Sequence, residues 1–202
     1  GNIDHTKTTS LTLHKSKNCI RNVNKKGEKR TYNNSKDEED RITCAKNFDA
    51  HLEAAKTGDK RHKIRGKRVG LNNFVKDGIR ILHEFEDLES RFGDAFNTSR
   101  NSVEDPDVIA YEEKVKAIQT ERDIINMQWN DNASQNTTLR NMIAMVDTSG
   151  SMLCDDGTPL YSAIGLGVRI AEKSSLGKRI MTFSSSPEWV NLDGCKDFIE
   201  SV

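Results

Sequence analysis

Asp147, Ser149 and Ser151 stand at alternate positions in the stretch NMIAMVDTSGSM, residues 141–152, directly after an apolar run. A carboxylate and two hydroxyls at i, i+2 and i+4 can turn their oxygens toward one centre, with Gly150 relieving the backbone between them. Oxygen ligands carrying a single charge suit a hard divalent cation, Mg2+ or Mn2+, that keeps waters and one outside ligand; zinc would call for nitrogen or sulfur. The same residue types crowd ordinary strand-to-helix turns, so a capped Asx-turn is the alternative.

A second concentration of chemistry is KTGDKRHKIRGKR, residues 56–68, where seven Lys and Arg side chains meet only Asp59. Lys60, Arg61, Lys63, Arg65, Lys67 and Arg68 are candidate phosphate contacts for a nucleic acid. No aromatic residue is interleaved to stack on bases, so such contact would be with the backbone. A solvated loop is the alternative. Catalysis is not expected. His5, His14, His51, His62 and His83 all precede the alternating segment described below, and no Ser/His/Asp or Cys/His set follows from spacing. Asp155 and Asp156, beside Gly157, read as turn residues rather than an acid–base pair.

The elements that must position these residues follow from periodicity. Residues 1–40 hold no helical or strand period and read as a polar, unordered arm. Residues 41–130 read as a helical region. Ile42, Ala45, Phe48, Leu52 and Ala55 form one stripe ended by Gly58; Leu71, Phe74, Val75, Ile79, Leu82, Phe85, Leu88 and Phe92 form a second. A third helix opens at Asp105-Pro106 and puts Val108, Tyr111, Val115, Ile118, Arg122, Ile125 and Trp129 on one side. Polar residues 131–138 read as a linker.

From residue 139 the pattern alternates. MIAMV reads as a buried strand, TPLYSAIGLGVRIAEKSS as a helix capped by Thr158-Pro159, and KRIMTF as a second strand. Together they predict a βαβ unit with parallel strands, which places Asp147 at the carboxyl edge where open α/β sheets bind ligands. EWVNL predicts a short third strand, and CKDFIESV a further helix. The fold class expected is α+β overall: a helical N-terminal region followed by the first strands and helix of a Rossmann-like α/β domain.

Bulk composition constrains the setting. A 34% hydrophobic and 31% charged chain with zero formal charge gives no whole-molecule argument for nucleic acid or an anionic membrane. No apolar run approaches the ~18–20 residues of a membrane span. Cys19, Cys44, Cys154 and Cys195 lie far apart, without zinc-finger spacing, and read as reduced thiols in an intracellular, cytoplasmic protein. The N-x-S/T matches at Asn33, Asn97, Asn132 and Asn136 read as chance in an Asn-rich chain.

IAMVDTSGSM, then TPLYSAIGLG, then KRIMTFSSSPEW resembles the first third of a von Willebrand factor A domain over residues 139–202. The resemblance implies that Asp147, Ser149 and Ser151 belong to the first loop of that family's metal-ion-dependent adhesion site. The order of these pieces looks closest to a little-characterised group of plant and giant-virus proteins in which such a domain follows a helical region. FDAHLEAAKTG, GLNNFVKDGIRIL and ERDIINMQW resemble parts of that region. The layout is similar to TROVE (Ro autoantigen) ribonucleoproteins, whose helical repeats bind small RNAs. The family's cation site also takes a Thr and an Asp from two later loops, which this sequence does not reach. The metal site is therefore expected to be incomplete, and the sheet to need another chain or further C-terminal sequence to cover both faces.

Three functions follow as expectations. The first is a non-enzymatic binding or scaffold protein that captures a macromolecular, protein partner through Mg2+ or Mn2+ at Asp147, Ser149 and Ser151. The second is an RNA-binding ribonucleoprotein component using the helical region and the basic cluster. The third is a structural or assembly role in a viral particle, compatible with an Asn- and Lys-rich composition.

Overall fold

The computed structural model describes residues 3–25, 27–98, 106–133 and 139–202. Five helices and three strands follow in order: α1 (Ser10–Ile20), α2 (Ser35–Lys56), α3 (Leu71–Thr98), α4 (Pro106–Ala133), β1 (Ala144–Asp147), α5 (Cys154–Lys173), β2 (Arg179–Phe183) and β3 (Glu188–Asn191). The fold is mixed α and β, mostly helical, with one small sheet near the C-terminus.

Residues 1–40 correct the expectation of an unordered arm. The Thr9 hydroxyl accepts from the Thr12 N–H at 3.2 Å and caps α1. Leu13, Lys17 and Ile20 then share one buried stripe. A lysine at the centre of that stripe hides its period from a hydropathy reading. The fold accommodates Lys17 by placing its ammonium 2.6 Å from Asp77 on α3 and 3.3 Å from Glu121 on α4. Arg80 joins the same acids, so a buried ionic network ties three helices together.

Helix α2 starts at its Asn34 cap, seven residues before the expected helical region begins, with Asp37 and Glu38 in the first turn where the helix dipole favours acids. Its buried residues are Cys44, Phe48, His51 and Leu52, whereas Ile42 faces solvent. Gly58 stops it as expected. With φ +85°, Gly58 donates to the Ala55 carbonyl while Asp59 donates to that of Ala54, a Schellman closure.

Helix α4 opens at Pro106 as the sequence predicts; its expected cap, Asp105, lies outside the described residues, as does segment 134–138 of the linker. Residues 131–133 continue α4 instead of leaving it. The expectation of one apolar side is also corrected, because α4 is buried on two. Ile124 joins Leu13, Ile20, Phe48, Leu52 and Ile64 in a small helical core. Ile125 and Trp129 join a larger core with Phe74, Val75, Ala144, Val146, Val168, Ile180, Phe198 and Ile199. Neighbouring residues on a helix point about 100° apart, so α4 serves both cores from adjacent positions. The helical region and the α/β segment thus share one hydrophobic core rather than meeting across a boundary.

The expected βαβ unit is present. β1 pairs in parallel with β2, Val146 opposite Thr182 and Asp147 opposite Phe183, and α5 connects them. β3 adds antiparallel to β2 after the SSSP turn. α5 approaches the sheet closely because Gly167 leaves room for Val146: a Cβ there would come within 2.6 Å of that side chain. The sheet is covered on one face only. Ala144, Val146 and Ile180 are buried, but the cross-strand row Met145, Met181 and Trp189 lies on the other face, with Met145 65% and Trp189 57% exposed. The strand read as wholly buried is therefore half-exposed. The expected last helix is a single 3-10 turn, Ile199–Ser201, whose Phe198 and Ile199 enter the main core.

Candidate functional site: an oxygen-lined loop and a basic strip

β1 ends at Asp147, and the loop beyond it is built by local hydrogen bonds. The Ser149 N–H donates to Asp147 Oδ1 at 2.9 Å, and the Ser149 and Ser151 hydroxyl oxygens lie 2.9 Å apart. The Thr148 N–H donates to the Phe183 carbonyl at 2.9 Å, fixing the loop to the end of β2. Residues 150–153 form a 3-10 turn, and Asp155, Asp156 and Gly157 follow with φ of 50°, 54° and 73°. Three left-handed residues in succession re-aim the chain before the regular turns of α5 begin at Thr158-Pro159. Asp155 and Asp156 are exposed there, as turn residues.

The three sequence-predicted ligands are therefore brought together at the carboxyl edge of a parallel strand. Bonds from the Ser149 N–H and hydroxyl hold the Asp147 carboxyl below its ordinary value, so it is ionised at neutral pH. The donor set fits a hard cation in part. Two oxygens at about 2.0–2.1 Å from an octahedral Mg2+ stand about 2.9 Å apart along an edge, the separation of the two serine hydroxyls. One carboxylate is the whole anionic contribution, and among the described residues no group of three or more His, Cys, Asp or Glu side chains is placed to hold a metal ion.

The basic residues occupy the connection between α2 and α3, and this connection is firmly held. The Gly66 N–H donates to Asp131 Oδ2 at 2.8 Å, Gln128 Nε2 donates to the Arg65 carbonyl at 2.8 Å, and Asn132 Nδ2 reaches the Gly66, Lys67 and Val69 carbonyls at 3.3 Å. Gly66 is required by this close approach, since a Cβ there would collide with the Gln128 carbonyl. Ile64, Gly66 and Val69 point inward, while Lys60, Arg61, Lys63, Arg65, Lys67 and Arg68 are exposed. Two of the six are engaged internally. Lys63 lies 2.7 Å from Asp131, and Arg61 pairs with Asp59, whose carboxyl its hydrogen bonds hold down to about 2. Lys60, Arg65, Lys67 and Arg68 form no ion pair among the described residues. The connection is thus a loop pinned to α4 that carries four outward cations.

Gln128, Asp131 and Asn132 position that strip, and the sequence gives only a faint hint of them: three polar residues at the end of a stripe that should be apolar. A histidine cluster lies beneath the strip, and the sequence carries no local signal for it because its members are spread over 58 positions. His51 Nδ1 lies 3.0 Å from His62 Nδ1, and the His5 ring lies 6.1 Å from that of His51. Among the described residues no helix is long and apolar enough to cross a membrane.

A family model described as a domain of unknown function (DUF7788) matches residues 141–202, taking in β1, α5, β2 and β3 and leaving the helical region outside. No curated protein and no solved structure matches the chain.

Proposed function

We propose that the chain is a non-enzymatic binding protein whose segment 139–202 is a von Willebrand A-type unit and whose Asp147, Ser149 and Ser151 hold a divalent cation, Mg2+ or Mn2+. The observation that carries this reading is the serine oxygen pair, 2.9 Å apart, beside an ionised carboxylate at the carboxyl edge of a parallel strand. The family match, over residues 141–202, takes in this loop and the strands and helix that position it. Bound there, the cation would supply an open coordination position that a carboxylate of a protein partner can fill. Asp147 provides the charge, the two hydroxyls orient it, and the Thr148 bond to β2 keeps the loop in place.

Titration with Mn2+, followed by its relaxation signal, tests the proposal. Saturable binding that competes with Mg2+ and is lost in Asp147→Ala, with circular dichroism unchanged, is the expected result. Binding that survives the substitution, or none up to about millimolar metal, sinks it.

A second reading is favoured by the strip. Lys60, Arg65, Lys67 and Arg68 are outward, form no ion pair among the described residues and sit on a connection pinned to α4, which suits backbone contact with RNA. Affinity for a structured RNA should then fall steeply with salt, and the log–log slope should shrink by about 3 when Arg65, Lys67 and Arg68 are replaced by Gln. A slope near zero in the native chain rules this reading out.

A further inference from the structure

His5, His51 and His62 come from three different parts of the chain: the turn 5–7, helix α2 and the basic connection. His51 sits between the other two, 5.1 Å from the His62 ring and 6.1 Å from the His5 ring, with Phe48 packed edge-on to His5 at 5.2 Å. His5 and His51 are buried at 6% and 4% exposure, whereas His62 reaches the surface. The 3.0 Å contact between the Nδ1 atoms of His51 and His62 has room for one proton, carried by either ring. A second proton would put two like charges in contact inside a half-buried cluster.

The surroundings offer little to neutralise such charge. His5 Nε2 faces the Cys44 carbonyl at 3.3 Å, and its Nδ1 has no partner among the described residues. Asp4 is the acid whose charge favours protonation of His5 and His51, and it is already bonded to Thr6 and Lys7. Asp59 is held by Arg61, and Asp131 by Lys63 and the Gly66 N–H. The Cys44 thiol is kept neutral by burial, which raises its value. Burial holds both His5 and His51 below the ordinary imidazole range, and for His51 the neighbouring imidazoles add to the effect.

We propose that the His5–His51–His62 cluster is a proton-operated latch: it holds the start of the connection, residues 59–62, against α2 while the three imidazoles carry no more than one proton beyond their neutral state, and releases it when acidification adds a second. Each protonation takes its proton from solvent, and the like charges separate by moving His62, the member that reaches the surface. Residues 59–62 move with it while Gln128, Asp131 and Asn132 keep residues 65–69 on α4, so the presentation of Lys60 and Arg61 changes between neutral and mildly acid pH. The latch stands on the geometry of the three rings and does not depend on what the strip binds.

Hydrogen exchange on the full chain, corrected for the intrinsic pH dependence of exchange, tests it. Protection of the residue-62 amide, which donates to the Asp59 carbonyl at 3.0 Å, should fall at least tenfold relative to α5 between about pH 7.5 and pH 5. Asp131 stays ionised over that range: burial opposes its charge, but Lys63 and the Gly66 N–H outweigh burial and keep its value below the ordinary one. His62→Gln leaves a neutral acceptor opposite His51, and its connection should keep its protection at low pH; His51→Gln should behave alike. Protection that is unchanged in the native chain overturns the latch. So does a loss shared equally by α5, or a loss that persists in both variants.

Discussion

Gln128 carries a buried responsibility out of proportion to its size. It is fully enclosed, and its amide donates to the Arg65 carbonyl at 2.8 Å and to the Ser10 carbonyl at 3.4 Å. Gln128→Leu fills the same space but strands the Arg65 carbonyl, so it should cost about 1–3 kcal/mol in a urea titration. Gly66→Ala, whose Cβ meets backbone rather than a movable side chain, should cost about 3 kcal/mol or more. The buried imidazoles make stability depend on pH. His5, His14 and His51 are all held below 6.5 by burial, so the unfolded chain binds more protons once the pH drops under that value. Their contribution is complete above 6.5 and is lost as the pH falls through their folded values. The urea midpoint should therefore decline on acidification from about pH 6.5 to pH 5, and a midpoint constant over that window contradicts this account. The metal-loop residues were legible because their chemistry is local: three oxygens within five residues and a strand before them. The residues that hold the basic strip were not, since Gln128 and Asp131 become meaningful only through partners about 65 positions away.

At the scale of elements, α1 shows where periodicity fails and why. Its buried stripe reads Leu13, Lys17, Ile20, and only the acids of α3 and α4 make the lysine tolerable there. No window of the sequence contains both partners. Helices α2 to α5, whose apolar spacing is unbroken or whose caps are explicit, were legible to within about two turns at their ends. α4 was legible as a helix but not as one buried on two sides. Removing residues 1–24 should not behave like trimming a loose arm. It uncovers the pocket of Leu13, Ile20 and Val23, each worth roughly 1.5–3 kcal/mol, and leaves Asp77 and Glu121 without the Lys17 ammonium. A loss of more than about 4 kcal/mol is expected by chemical denaturation, and a shortened chain as stable as the full one would show α1 to be dispensable.

At the scale of the molecule, one core runs from the helical region into the sheet. Trp129 of α4 stacks on Phe198 at 3.9 Å, carries the Arg169 guanidinium on its ring at 3.5 Å, and donates to Glu172 of α5 at 2.8 Å. The two parts should accordingly unfold together. With Trp189→Phe removing the exposed indole, the fluorescence of Trp129 and the helical signal at 222 nm should give one coincident transition. Two separated transitions would mean that the shared core does not couple them.

The bare face of the sheet has a chemical consequence as well as a mechanical one. Met145 offers its thioether to solvent at the β1 edge of that face, while Met181 beside it on the central strand is half-covered. Peroxide should convert Met145 to its sulfoxide well before Met181, and the oxygen gained is polar and chiral. The order in which these two sulfurs oxidise is a readout, by peptide mass alone, of whether anything lies over the sheet in a given preparation.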